Sequence, residues 1–283
     1  MKIMTFVDGS SYSASVCDHT IWAAKRMELP VEIYHVIGRR EPSSIPADLS
    51  GSLNLGARSD LLEKLAASDA ERAKLTHARG RLILETASER MRAAGIERID
   101  ERLRNEDIVQ TITRFEEESR AIVVGKRGEA SSQAHDHIGS NLERILRVAT
   151  RPVLIANRAF QPIERYLIAF DGSRSVMNSV ERISTGTLLK GLHCRLLHVG
   201  SETPAMREKM EGARALLLKN ASDVTIEFRQ GEPEKTIAEA VEGGGADLLV
   251  IGAYGHRRLR RLFLGSTSAT MAHMCKVPVM IFR

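Results

Sequence analysis

Met4-Thr5-Phe6-Val7-Asp8-Gly9-Ser10 returns as Ile168-Ala169-Phe170-Asp171-Gly172-Ser173, with one residue fewer before the Asp-Gly-Ser. A His-Val pair follows each aspartate by 27 residues, as His35-Val36 and then as His198-Val199. Each half next carries a Gly-Ser whose glycine precedes a Pro-Val by 13 residues: Gly139-Ser140 with Pro152-Val153, and Gly265-Ser266 with Pro278-Val279. Three anchors at matched spacing mark a tandem duplication, and such a repeat sets the architecture before any single motif is weighed. The boundary falls in Asn157 to Glu164, a polar, proline-containing stretch, which divides the chain into units at 1–157 and 164–283.

Each unit reads as strands alternating with helices. In the second, the strand-length apolar runs are Tyr166 to Phe170, Cys194 to Val199, Val224 to Arg229, Leu248 to Ile251 and Val277 to Phe282. Amphipathic segments such as Met206 to Leu218 and Glu234 to Val241 separate them. Glu232-Pro233 sits at the start of one helix and the glycines 243–245 at its end. Near-continuous apolar strands joined by helices imply a parallel sheet covered on both faces, an α/β architecture in each unit. The first unit is longer by about 37 residues between its His-Val and its Gly-Ser. The extra material lies around 39–74, beginning as a Pro/Ser/Gly-rich loop and passing into a charged helical run from Ser59 to Gly95. It reads as a surface excursion.

Composition narrows the classes. With 43% hydrophobic and 27% charged residues and only strand-sized apolar runs, the chain reads as a soluble globular protein that does not span a membrane. The start, MKIMTFVDGS, meets Asp8 before any apolar signal region forms. Cys17, Cys194 and Cys275 are scattered without a C-x-x-C pair, which fits a reducing cytoplasm and argues against a disulfide framework or zinc cluster. The net charge of +5 comes from 41 basic and 36 acidic residues, mostly interleaved, and a 4% aromatic content leaves no stacking platform for nucleic acid. The one basic cluster, His256 to Arg261, reads mainly as a solvated face that could also screen phosphate charge.

In a parallel sheet, ligands gather at the carboxyl ends of strands. Three loops of the second unit leave such ends. Asp171-Gly172-Ser173 can turn the chain and cap a helix, or its carboxylate can accept hydrogen bonds from a nucleoside. His198-Val199-Gly200 can be a packed strand end or can offer backbone to a base. Ile251-Gly252-Ala253-Tyr254-Gly255, then nine residues, then Gly265-Ser266-Thr267-Ser268, can bring backbone close to a phosphate and set free N–H groups at a helix start. The same glycines could equally make only a tight turn. The pattern is neither a Walker loop nor the dinucleotide fingerprint.

Together, Asp-Gly-Ser, the His-Val strand end, G-x-x-G, nine residues, G-S/T and the final Pro-Val strand resemble the universal stress protein family. The resemblance covers both units apart from the insertion, and its glycine motif matches the ATP-binding branch. It implies an open five-stranded sandwich that binds ATP, with or without Mg²⁺, in its cleft. Carried onto this chain, Ala169, Asp171 and Val199 would hold adenosine, while Gly252, Gly255, Gly265, Ser266 and Thr267 would cradle phosphates. It also implies that the two units pair through their last strands as an internal pseudo-dimer, with a further homodimer left open.

The first unit departs from the motif. Its loop is Gly125-Lys126-Arg127-Gly128, ten residues, then Gly139-Ser140-Asn141, one residue too many, and Asn105-Glu106-Asp107 replaces the Gly231-Glu232-Pro233 turn. His135-Asp136-His137 could ligate a metal only with a third group from elsewhere, and a solvated loop is the preferred reading. The expected function is therefore a cytoplasmic stress-response regulator that binds adenine nucleotide mainly through its C-terminal unit. No catalytic set is evident, because the loop lacks an acidic residue to hold Mg²⁺ for efficient hydrolysis. A slow ATPase and a nucleotide-free interaction module are the alternatives.

Overall fold

The computed structural model describes residues 1–38, 55–126, 140–253 and 266–282, and side chains from all of these except 55–63, 140 and 266. The first unit runs β1 (Lys2–Phe6), α1 (Ser13–Met27), β2 (Val31–Val36), α2 (Leu55–Ala93), β3 (Ile99–Arg104), α3 (Ile108–Phe115), β4 (Ser119–Gly125), α4 (Ser140–Val148) and β5 (Val153–Ala156). The second repeats the order with β6 (Arg165–Ala169), α5 (Arg174–Thr185), β7 (His193–Val199), α6 (Pro204–Leu217), β8 (Asp223–Arg229), α7 (Pro233–Ala240), β9 (Leu248–Gly252), α8 (Ser266–Met274) and β10 (Val279–Phe282). The apolar runs are the strands, with one shortening. β10 begins at Val279 rather than Val277, since Pro278 has no N–H to give the ladder and contributes only its carbonyl, to Leu249 N at 3.0 Å.

The ten strands form one sheet in the order β3-β2-β1-β4-β5-β10-β9-β6-β7-β8. Pairing is parallel within each unit and antiparallel at the seam, where Val153, Leu154 and Ile155 of β5 oppose Ile281, Met280 and Val279 of β10. Alternate residues of the central strands face opposite sides. Leu248 and Val250 of β9 join one core with Leu154 and Met280, while Leu249 and Ile251 join the other with Val153, Ile155 and Val279. Helices α1, α2, α5 and α6 cover the first face and α3, α4, α7 and α8 the second. Both cores therefore run through the seam. Burial on both faces explains why these strands are apolar at successive positions.

Most of the described extra length of the first unit is helix. α2 has 39 residues against 14 in its counterpart α6. Its Ala, Leu, Glu, Lys and Arg content favours helix without tertiary help. Residues 64–75 are exposed throughout, and packing begins near Gly80 and continues through Leu84, Ala87, Ser88 and Met91. Residues 39–54 of the expected excursion lie outside the described residues.

The connection between units is tied to α1. Phe160 packs edge-on against the fully buried His19, with ring centroids 5.0 Å apart. His19 Nδ1 lies 2.7 Å from the Ser15 carbonyl, and its buried Nε2 has no partner among the described residues. The Ser15 carbonyl fixes the proton on Nδ1 of a neutral ring, and a second proton on Nε2 would be a buried, unpaired N–H. Burial accordingly holds His19 below the ordinary histidine pKa. The unfolded chain then takes up the proton first, so this contribution is intact above the unfolded pKa of about 6.5 and is lost as pH falls below it. Thermal unfolding midpoints measured from about pH 7.5 down to about pH 5 should fall more steeply for wild type than for His19→Leu. Parallel pH profiles would show that His19 does not carry this loss.

Candidate functional site

The second unit reverses its winding between β6 and β9, since the chain passes from β6 to β7 on one side and returns to β9 on the other. The carboxyl ends of these two strands flank the crevice where open α/β sheets bind ligands. Beyond β6, Gly172 takes a φ of +68°, as Gly9 takes +78° in the first unit, a left-handed turn that glycine makes at no steric cost. Asp171 Oδ1 accepts from Ser173 N at 2.9 Å, and Ser173 Oγ accepts from Val176 N at 3.3 Å to cap α5. Asp8 Oδ1 accepts from Ser10 N at 3.0 Å in the same way. The repeated Asp-Gly-Ser is thus a built turn that delivers the chain into a helix and keeps the carboxylate at the strand end.

The repeated histidines have a structural duty as well. Nδ1 of His35 and of His198 each lies 2.8 Å from a carbonyl at the end of the preceding strand, Val7 O and Phe170 O respectively. His198 also meets the Phe228 ring edge-on at 5.7 Å. Each histidine thereby staples the second strand of its unit to the Asp-Gly-Ser loop. Ala169 and Val199, half-buried at the ends of β6 and β7, flank this staple.

Gly252 closes β9 at the point where two helices begin. A Cβ there would lie 2.8 Å from Ser175 Oγ and 3.0 Å from Val176 N, so the missing side chain admits the first turn of α5. Its carbonyl accepts from Ser268 Oγ at 2.9 Å in the first turn of α8. Thr267 Oγ1 donates to Glu234 Oε1 at 2.8 Å, joining the first turns of α8 and α7. Ala169, Asp171, Val199, Gly252 and Thr267 therefore share one edge. Gly255 and Gly265 lie outside the described residues, as does the side chain of Ser266, whose backbone opens α8.

Glu234 is the residue that sequence reading missed. It stands in the first turn of α7, just after Glu232 and the N1 proline Pro233, and the Gly231-Glu232-Pro233 turn was the available signal. The glycines 243–245 follow α7 as expected, with Gly244 at φ +73°.

In the first unit the corresponding turn is replaced by a capping box, in which Asp107 accepts from Val109 N at 2.8 Å. Arg144 of α4 also binds Asp107 at 2.7 Å. Partial burial raises the Asp107 pKa, but Arg144 and the helix amides outweigh it and hold the carboxyl below its ordinary value. A cation of α4 is thus engaged at the amino end of α3. Arg127 to Gly139, including His135-Asp136-His137, lies outside the described residues, and no cluster of three potential metal ligands occurs among those described. The three cysteines are buried and unbridged, and among the described residues no helix is long and apolar enough to cross a membrane.

The universal stress protein family profile matches residues 1–157 and 195–283. A universal stress protein of Synechocystis sp. is 30% identical over 285 residues, spanning 100% of this chain and 99% of its own. One from Mycolicibacterium smegmatis is 24% identical over 199 residues, covering 64% of this chain and 67% of its own. The crystal structure of a universal stress protein from Archaeoglobus fulgidus superposes with a TM-score of 0.69 at 20% identity, covering 100% of this chain and 98% of that one. The chain belongs to the universal stress protein family.

The contact of Gly252 with α5 generates a direct test. Gly252→Ala forces a methyl group against Ser175 and a backbone amide, and overpacking of this kind costs about 1–3 kcal/mol. Chemical denaturation without nucleotide should show that loss. An unchanged unfolding free energy would mean that α5 does not seat against this glycine.

Proposed function

We propose that this universal stress protein is a stress-response regulator that binds ATP at the carboxyl edge of its C-terminal unit and is not an efficient enzyme. The observation that carries the reading is the meeting of two helix amino ends, those of α5 and α8, at Gly252. The positive ends of two helix dipoles favour an anion there. Asp171, Ala169 and Val199, at the neighbouring strand ends, would take the nucleoside. Ser266 and Thr267 at the start of α8, with Gly252, Gly255 and Gly265, would take the phosphates. The units proposed are 1–157 and 164–283, with the nucleotide in the latter.

Glu234 bears on the role of Mg²⁺. Held 2.8 Å from the Thr267 hydroxyl beside the proposed phosphate position, the Glu234 carboxylate would repel a bare polyphosphate, but the two groups would supply hard oxygen ligands of the kind Mg²⁺ accepts. Thr267 must also exchange Glu234 for phosphate or share it through a cation. When bound, Mg²⁺ would neutralise phosphate charge at this place. These residues would orient and bind, and regulation by occupancy is the expected output.

Mass analysis of the purified chain for carried-over nucleotide, followed by ATP titration, tests the reading. Binding at or below millimolar ATP is expected, and no adenine-nucleotide affinity in that range would sink it. Multiple-turnover phosphate release at ordinary enzyme rates, about 1 s⁻¹ or more, would favour an enzyme instead. For the cation, wild type should bind ATP more tightly with Mg²⁺ than with EDTA, and Glu234→Gln should narrow that difference by weakening the repulsion between carboxylate and phosphate. An equal Mg²⁺ effect in both proteins would remove Glu234 from the site.

A further inference from the structure

The first unit reaches the helix that carries the phosphate site of the second. Because β5 and β10 are antiparallel, the carboxyl end of β4 faces the edge of the second unit at which α8 ends and β10 begins. Lys126, immediately after β4, uses this geometry and donates from Nζ to the Cys275 carbonyl at 2.6 Å. Asn157 Nδ2, following β5, donates to the next carbonyl, Lys276 O, at 2.9 Å. Cys275 N still closes the last turn of α8 through Met271 O at 3.0 Å, so the carbonyl bound by Lys126 belongs to the helix end.

A cation at a helix carboxyl terminus satisfies an orphaned carbonyl and complements the negative end of the dipole. Lys126 follows Gly125 as Ala253 follows Gly252, and the N–H groups of both take equivalent carbonyls, Ala156 O and Phe282 O. Ala253, at the matching position, has no side-chain donor with which to make the equivalent bond. The lysine at the second position of the first unit's G-x-x-G is therefore engaged on the second unit's helix.

We propose that Lys126 is a positioning residue for the C-terminal nucleotide site, fixing the carboxyl end of α8 and thereby the stance of its amino end at Gly252. The proposal rests on the nucleotide reading above and assigns the N-terminal unit a part in it. α8 has only nine residues, and its other end is tied by Thr267 to Glu234 and by Ser268 to Gly252. Loosening one end of so short a rod shifts the other.

The test uses the full chain as wild type, Lys126→Met, Lys126→Arg and Arg26→Met. Arg26 makes a separate contact between units, donating to the Leu188 carbonyl at 2.5 Å and to the Lys190 carbonyl, in the segment between α5 and β7. Amide hydrogen exchange without nucleotide should be faster across residues 271–276 in Lys126→Met. ATP affinity should fall about three- to tenfold in that variant, be largely kept in Lys126→Arg, and be unchanged in Arg26→Met. Exchange at α8 unaltered by Lys126→Met overturns the proposal whether or not nucleotide binds. So does wild-type ATP affinity in Lys126→Met, or an equal loss in Arg26→Met, which would mark general loosening of the units. If wild type itself binds no ATP, the nucleotide reading falls first and by a separate result. Should Lys126→Met fail to fold, Lys126→Arg still decides, since a longer planar donor must preserve both affinity and slow exchange.

Discussion

Three residue pairs between β5 and β10 hold the architecture together. Without them each unit would present its last strand as an open edge of unpaired amides and carbonyls, an invitation to pair with another chain. Pairing the two edges with each other satisfies those groups inside one molecule and merges two parallel sheets into a sheet of ten strands. It also makes each face of the sheet continuous, so that the cores on both sides are shared by the two units. Apolar burial then reinforces the seam, since every residue from Val153 to Ala156 and from Val279 to Phe282 is buried.

The antiparallel sense of that seam has a second effect. It turns the carboxyl edges of the two units in opposite directions, so the two crevices do not merge into one site. It also brings the strand-end loop of the first unit against the closing end of a helix in the second. The two copies of the duplicated chain therefore differ in the contacts they make. The same strand-end position holds Lys126 in one copy, directed at the other unit, and Ala253 in the other copy, buried in its own. Likewise, the helix pair α3–α4 is bridged by the ion pair Arg144–Asp107, while α7–α8 is bridged by Thr267 and Glu234. A full ion pair at the amino end of α3 occupies a cation in internal work. Between α7 and α8 the bridge is a carboxylate and a hydroxyl, with no cation in it.

Much of this was legible in the sequence because the repeated anchors are local. Asp-Gly-Ser must turn the chain wherever it follows a buried strand, and the His-Val spacing places the ring beside that turn. Strand runs such as Leu248 to Ile251 announce two-sided burial by their lack of polar residues. What the sequence could not show are the contacts that depend on folding. Thr267 and Glu234 are 33 residues apart, and Lys126 and Cys275 are 149 apart, with no local pattern to join either pair. Gly252 illustrates a subtler limit. A glycine after a strand reads as room for a ligand, yet the nearest atoms it admits belong to Ser175 and Val176. The long α2 was read correctly as helical in its later part, while its start at Leu55 lay beyond the charged run that signalled it.

We propose a symmetric fold with an asymmetric use: two copies of one unit, of which the C-terminal copy would hold the nucleotide. Counting ATP bound per chain at saturation, by equilibrium dialysis with labelled nucleotide, tests this most directly. One nucleotide per chain, abolished by disruption of the C-terminal site alone, is the predicted result. Two equivalent nucleotides per chain would contradict it.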